Sequence, residues 1–98
     1  MSAPPFTADT IAIAVVAAAR DAGLDPIDVL GQSPPPGSAP LKAGVAVALA
    51  QECGRPQSKA MRVLGLCSGS VASWKQHSKE GDPFWRAFDA ASVALLRA

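Results

Sequence analysis

The spacing of apolar residues across 57–78 is the strongest constraint that this sequence places on its fold. Two short helices that cross steeply need apolar side chains where they touch and a glycine in the turn that joins them. With Gln57 as the first position of such a unit, every inward position is apolar and Gly65 falls in the turn. The inward residues are Ala60, Leu64, Leu66, Val71 and Trp74. The pattern predicts a helix-turn-helix, with helices over 57–64 and 69–78.

Helical signals also account for the rest of the chain. No stretch alternates β-branched and polar residues as a strand does, and alanine supplies much of the 49% hydrophobic content. Caps and helix breakers define four further helices. We expect them over 8–22 after a Thr7 or Asp9 cap, over 26–30 after Asp25, over 40–52, and from Asp82-Pro83 onward. The predicted fold class is all-α, with about six helices around the helix-turn-helix.

These helices are expected to form one domain over residues 7–98. Residues 1–6 are rich in proline and are predicted to be a disordered lead-in. Residues 31–40 contain four prolines and two glycines, which excludes a regular helix or strand there. We therefore predict a loop inside the domain at this point.

Apolar faces predict what two of these helices give to the core. The short helix after Asp25 is expected to contribute Ile27, Val29 and Leu30. On the last helix, Phe84, Phe88, Ala91 and Leu95 share one face, with Trp85, Ser92 and Leu96 beside it. Both helices should therefore pack through apolar side chains.

Charge is distributed unevenly, although the net charge of the chain is only +1. Residues 53–79 hold five basic side chains and no acidic one, whereas the rest of the chain holds four basic and eight acidic ones. The five bases are Arg55, Lys59, Arg62, Lys75 and Lys79. A surface polarised in this way is suited to binding phosphates.

If Val71 and Trp74 face inward, the other face of their helix carries small or hydrogen-bonding side chains. Such side chains suit close entry into the major groove of duplex DNA. We predict base contacts from Ser68, Gly69, Ser70, Ser73, Gln76 and His77. We predict phosphate contacts from Lys42, Arg55, Ser58, Lys59, Lys75 and Lys79. The predicted partner is therefore double-stranded DNA.

Other chemistry has little support in the sequence. The only histidine has no nucleophile or carboxylate placed to pair with it, and no glycine-rich phosphate loop is present, so no enzyme activity is expected. Cys53 and Cys67 fall short of a four-ligand zinc site and are expected to be free thiols, so no metal or cofactor is predicted. The apolar run 11–19 is shorter than the roughly 20 residues that span a bilayer. We expect a cytoplasmic, nucleoid-associated protein without a membrane segment.

The layout resembles the C-terminal DNA-binding domain of DnaA, the bacterial replication initiator, from Thr7 to about Leu96. Residues 7–31 look like the opening helix of that domain and its following short helix. Residues 41–66 resemble its long central helix and the first helix of its helix-turn-helix. GSVASWKQH takes the place of its recognition helix, and FWRAFDAASVALL the place of its closing helix. The resemblance implies a fold like that of Trp repressor and DnaA domain IV.

Two features depart from the DnaA pattern. The DnaA loop before the central helix is rich in arginine and enters the minor groove, whereas SPPPGSAPLK here carries only Lys42 as a base. The family's recognition segment has an Asp-His-Thr-Thr signature, and the matching stretch here is CSGSVASWK. Met61 also occupies a position where helix-turn-helix units usually have alanine, which predicts a slightly wider spacing of the two helices. The resemblance therefore implies the scaffold but a different target sequence.

A DnaA-like domain without the ATPase module is typical of the activators of gene transfer agent clusters in alphaproteobacteria. We therefore expect sequence-specific DNA binding by a transcription activator of a phage-like or gene transfer agent cluster. Parts outside this chain are expected to contact RNA polymerase or a co-activator, and the chain itself to be a monomer or weak dimer. The alternative hypothesis is a helical protein-interaction adaptor that does not contact bases.

Overall fold

The computed structural model describes residues 3–97, apart from the side chain of Ser68. It contains six helices and, within those residues, no strand. The helices are α1 (Ala8–Ala22), α2 (Pro26–Val29), α3 (Ser38–Cys53), α4 (Gln57–Val63), α5 (Ser68–His77) and α6 (Pro83–Arg97). The predicted all-α class with about six helices is confirmed.

Local hydrogen bonds explain where α1 and α2 begin and end. Thr7 caps α1 by accepting the Thr10 backbone N–H at 3.3 Å, and Gly23 ends α1 in the left-handed conformation at φ 74°. Asp25 caps α2 by accepting the Ile27 N–H at 2.8 Å. These caps are local to the sequence, which is why the helix bounds here could be predicted from it.

The predicted disordered lead-in includes Met1 and Ser2, which lie outside the described residues. Of the remaining lead-in residues, Pro5 accepts a hydrogen bond at 2.6 Å from the Thr10 hydroxyl. Phe6 packs against the core and is partly buried. The chain just before α1 is therefore attached to the domain through these two residues.

Helix α3 lies at the centre of the fold and packs mainly against α6. Residues 43–49 on α3 are all buried, so α3 is surrounded by neighbours on every side. Gly44 is the point of closest approach, because a Cβ there would collide with the Phe84 carbonyl oxygen and lie 2.9 Å from the Phe88 nitrogen. The absence of a side chain at Gly44 therefore sets the distance between α3 and α6.

Helix α3 begins at Ser38, two residues before the predicted start at Pro40. The Ser38 hydroxyl donates to the Pro35 carbonyl oxygen at 2.7 Å, and this bond links the first residue of the helix to the preceding proline segment. Pro40 then falls in the first turn, where a proline costs no hydrogen bond. Residues 31–37 form the loop.

The prediction that α2 buries three apolar residues is wrong for two of them. Val29 is fully buried, but Ile27 is 80% exposed and Leu30 is 52% exposed. A helix of four residues can turn only one side chain squarely toward its neighbour, since successive side chains are about 100° apart. On α6, Phe84, Ala91 and Leu95 are buried as predicted, with Phe88 partly buried.

Candidate nucleic-acid interface

Helices α4 and α5 are joined by a four-residue turn at residues 64–67. Gly65 occupies the turn at φ 70°, a left-handed conformation that glycine adopts without strain. The Leu66 N–H donates to the Met61 carbonyl oxygen at 2.8 Å and closes the end of α4. The turn thus has the glycine where the sequence predicted it, and the helix ends lie within one residue of the predicted bounds.

Four of the five residues predicted to face inward do contact the core. Ala60, Leu64 and Val71 are buried, and Leu66 packs against them while partly exposed. Met61 is also buried and takes part in the same core, so the larger side chain is accommodated there. The α4–α5 pair is therefore attached to α3 through an apolar contact that continues the main core.

The prediction that Trp74 faces inward is wrong, because this side chain is 37% exposed. Val71 is the buried residue that α5 contributes, and Trp74 follows it by three residues, which places it about 60° to one side. The spacing was compatible with an inward position. The outcome depends on how α5 packs against α3 and α4, which leaves Val71 buried and Trp74 partly exposed.

The far side of α5 carries the residues predicted to contact bases. With about 100° between successive side chains, Gly69, Ser73 and Gln76 lie opposite Val71, while Ser70 and His77 lie to one side. All five are exposed. The His77 ring nitrogen Nδ1 lies 3.0 Å from the Ser73 carbonyl oxygen, which holds the imidazole along the helix. The side chain of Ser68 is outside the described part of the chain.

The residues predicted to contact phosphates fall into two groups. Arg55, Ser58, Lys59, Lys75 and Lys79 are all exposed on α4, α5 or their ends. Lys42 instead lies on α3 and is half-buried. Among the side chains that the structure describes, the one ion pair joins Arg86 Nε and Asp21 Oδ2 at 3.4 Å, remote from α4 and α5 in sequence. Within the described residues, none of the basic side chains on α4, α5 or their ends forms an ion pair with an acidic one.

The end of α5 is held by an aromatic cluster on α6, a feature that the sequence did not reveal. The indole N–H of Trp85 donates to the Ser78 carbonyl oxygen at 3.1 Å. The Trp85 ring makes edge contacts with Phe84 and Phe88, at centroid distances of 4.7 and 5.6 Å. Because Ser78 is the C-cap of α5, this bond holds the C-terminal end of α5 against α6.

Cys53 and Cys67 are both free thiols. Burial raises the pKa of the Cys53 thiol, with Glu52 adding to the rise and Arg55 opposing it. Across residues 3–97, no three His, Cys, Asp or Glu side chains cluster closely enough to hold a metal ion. No helix within the same residues is both long and apolar enough to cross a membrane.

Comparisons with known proteins leave the site to be judged on its own chemistry. No family model, no curated protein and no solved structure matches this chain. The observations that bear on function are therefore the exposed polar face of α5 and the basic side chains around it.

Proposed function

We propose that this chain is a sequence-specific binding domain for double-stranded DNA in a transcription regulator. In this proposal α4 and α5 are the two helices of a helix-turn-helix, and α5 is the recognition helix. The observation that carries it is the outer face of α5, on which Gly69, Ser73 and Gln76 are exposed. This face belongs to a segment that contains basic side chains and no acidic ones.

The dimensions of α5 fit this role. A helix with its side chains is about 10–12 Å across, and the major groove of B-DNA is about 12 Å wide, so the outer face must be small to reach base edges. Gly69 has no neighbouring atom within 4 Å of where a Cβ would lie, and Ser70 and Ser73 have short side chains. Gln76 is the longest side chain opposite Val71 and has the amide that pairs with adenine.

The basic side chains around α5 supply the attraction to the phosphate backbone. Lys59 lies in the first turn of α4, whose N-terminal amides point in the same direction as the helix dipole. Lys75 and Lys79 lie near the other end of the unit, on α5 and just after it. We place phosphate contacts at these three lysines, together with Arg55 and Ser58.

The narrower identity that we propose is a DnaA-like domain of an activator of a gene transfer agent or phage-like gene cluster. The order of helices and the glycine turn support it, and the target must differ from the DnaA box because the recognition residues differ. Because loop residues 31–37 contain no basic side chain, α4 and α5 must supply most of the contacts to DNA. We therefore expect modest affinity that paired sites or a partner improve.

Replacing Gln76 with alanine tests base contact. We expect a loss of about 1–3 kcal/mol in binding to the specific site and little change on random duplex, because only base recognition is removed. Fluorescence anisotropy on both duplexes measures the two affinities. Gln51→Ala on α3 is the matched control and should change neither. Equal losses on specific and random DNA for Gln76→Ala would eliminate the base-contact role.

Replacing Lys75 with alanine tests phosphate contact. We expect weaker binding to specific and random duplex alike and a slope of log K against log salt that is reduced by about 1 in magnitude. Arg20→Ala on α1 removes the same charge away from α5 and should leave the slope unchanged. If both variants change the slope equally, net charge rather than a local phosphate contact is responsible.

Titration of genomic duplex fragments across a salt series, followed by footprinting, tests the proposal as a whole. A salt-dependent affinity and a discrete footprint are the expected results. Exposed Ile27 on α2 and Leu30 at its C-cap favour the alternative of a protein-interaction adaptor, since apolar side chains of this size are usually covered. No binding, or binding that ignores salt, would support the adaptor instead.

A further inference from the structure

Trp74 is a large aromatic side chain on a helix that otherwise presents small and polar ones. Its 37% exposure leaves part of the indole in water. Among the described residues only Trp85 uses its indole N–H as a donor. Exposed aromatic surface with an available donor is typical of contact sites rather than of isolated surfaces.

The position of Trp74 on α5 is specific. Relative to Val71, helical geometry places Trp74 about 60° to one side and Lys75 about 40° to the other. The two side chains therefore lie on opposite sides of Val71, the buried residue through which α5 packs against the fold. When the outer face of a helix enters the major groove, its flanks lie beside the two phosphate backbones, because the helix and the groove have nearly the same width, about 12 Å.

Resting on the proposed function, we propose that Trp74 contacts the DNA strand opposite the one held by Lys75. The indole N–H donates to a phosphate oxygen, and the ring packs on the adjacent sugar. Helix α5 then contacts both DNA strands, one through the Lys75 cation and the other through the neutral indole N–H of Trp74. The neutral donor adds affinity without releasing a counterion, so it does not contribute to the salt dependence.

Fluorine NMR of the protein labelled with 5-fluorotryptophan tests the contact directly. The chain has two tryptophans, so two resonances are expected, and the Trp74→Phe spectrum assigns them. On addition of a random-sequence 20-base-pair duplex, about the size of a single binding site, the Trp74 resonance should shift and lose its dependence on H2O against D2O. The Trp85 resonance should move much less, because that indole is already bonded to Ser78.

Affinity measurements give the second readout. Trp74→Phe keeps most of the ring and removes the N–H, and we expect binding to specific and random duplex to weaken about tenfold, as for a hydrogen bond to a charged group. The slope of log K against log salt should stay at the wild-type value, unlike that of Lys75→Ala. Trp74→Ala should lose more affinity, because the sugar contact is also removed.

The outcomes separate this inference from the proposed function. Thermal unfolding of Trp74→Phe checks that the fold is intact. If the wild-type protein binds duplex but the Trp74 resonance stays unchanged, or Trp74→Phe binds like wild type, the Trp74 contact is refuted while DNA binding stands. If the wild-type protein binds no duplex at all, both proposals fall.

Discussion

Replacing Gly44 with alanine is expected to lower the stability of this protein by about 2–4 kcal/mol, the upper range for adding volume to a packed core. The new Cβ would collide with the Phe84 carbonyl oxygen and lie 2.9 Å from the Phe88 nitrogen and 3.1 Å from the Ala87 Cβ. Two of these atoms belong to the backbone of α6 and cannot rotate away. The helices α3 and α6 must therefore move apart, which loosens the largest contact of the fold.

This loss of stability is opposite in sign to the effect that helix propensity alone predicts for Gly44→Ala. Alanine is favoured over glycine in a helix interior by about 1 kcal/mol, so an isolated α3 would be stabilised by the same substitution. Chemical or thermal unfolding measures the net result, and a decrease in Tm of roughly 10–20 °C is expected for a domain of this size. The close approach overrides the propensity because it is fixed by backbone atoms.

Gly69→Ala is the matched control for Gly44→Ala. Gly69 also lies in a helix, but no atom is within 4 Å of where its Cβ would be. The unfolded chain loses conformational freedom on this substitution, so stability should stay equal or rise by up to about 1 kcal/mol. A Gly44→Ala protein as stable as Gly69→Ala would show that α3 and α6 are not in close contact at Gly44.

Replacing Val71 with aspartate is expected to detach α5 while the other helices remain folded. Val71 is 1% exposed, so a carboxylate there would be buried without a partner. A cost of about 3–5 kcal/mol is typical of an uncompensated buried charge. Because α5 packs chiefly against α3 and α4, its unfolding leaves the α1–α3–α6 packing intact.

Hydrogen exchange measured by mass spectrometry follows this local opening. Peptides from α5 should lose protection, whereas peptides from α1, α3 and α6 should keep it. Binding to duplex DNA should fall by more than about 100-fold if α5 is the recognition helix, since the loss of its attachment costs about 3 kcal/mol or more. Ala72→Asp, at an exposed neighbouring position, should leave exchange unchanged. Uniform loss of protection in all helices would mean that α5 is not an independent unit.

Much of the helical layout could be predicted from local signals. Thr7, Gly23, Asp25 and Gly65 have the caps and turns expected of them, because these interactions involve residues within a few positions along the chain. Asp82 precedes α6 as expected, and its carbonyl oxygen accepts the Arg86 N–H. Its carboxylate, however, turns back and accepts the Lys79 N–H at 2.9 Å. Local patterns therefore fix helix ends well but leave side-chain directions open.

The candidate site was predicted less completely than the helices. The exposure of Gly69, Ser73 and Gln76 follows from helical periodicity once Val71 is inward. Trp74 was misplaced because spacings of three and four residues both fit an inward position on an isolated helix. The bond from Trp85 to Ser78 joins residues whose proximity depends on how α6 returns to the end of α5, and no local pattern encodes it.

The sequence by itself determined the all-α class, the helix bounds to within two residues and the concentration of basic side chains without acidic ones in residues 53–79. These properties depend on periodicity, capping and composition, which act over a few residues. Only the tertiary structure decided that Gly44 lets α3 approach α6, that α5 is attached through Val71, and that Trp74 is partly exposed. The reason is that burial depends on which helices meet and at what distance, and those contacts join residues far apart in the chain.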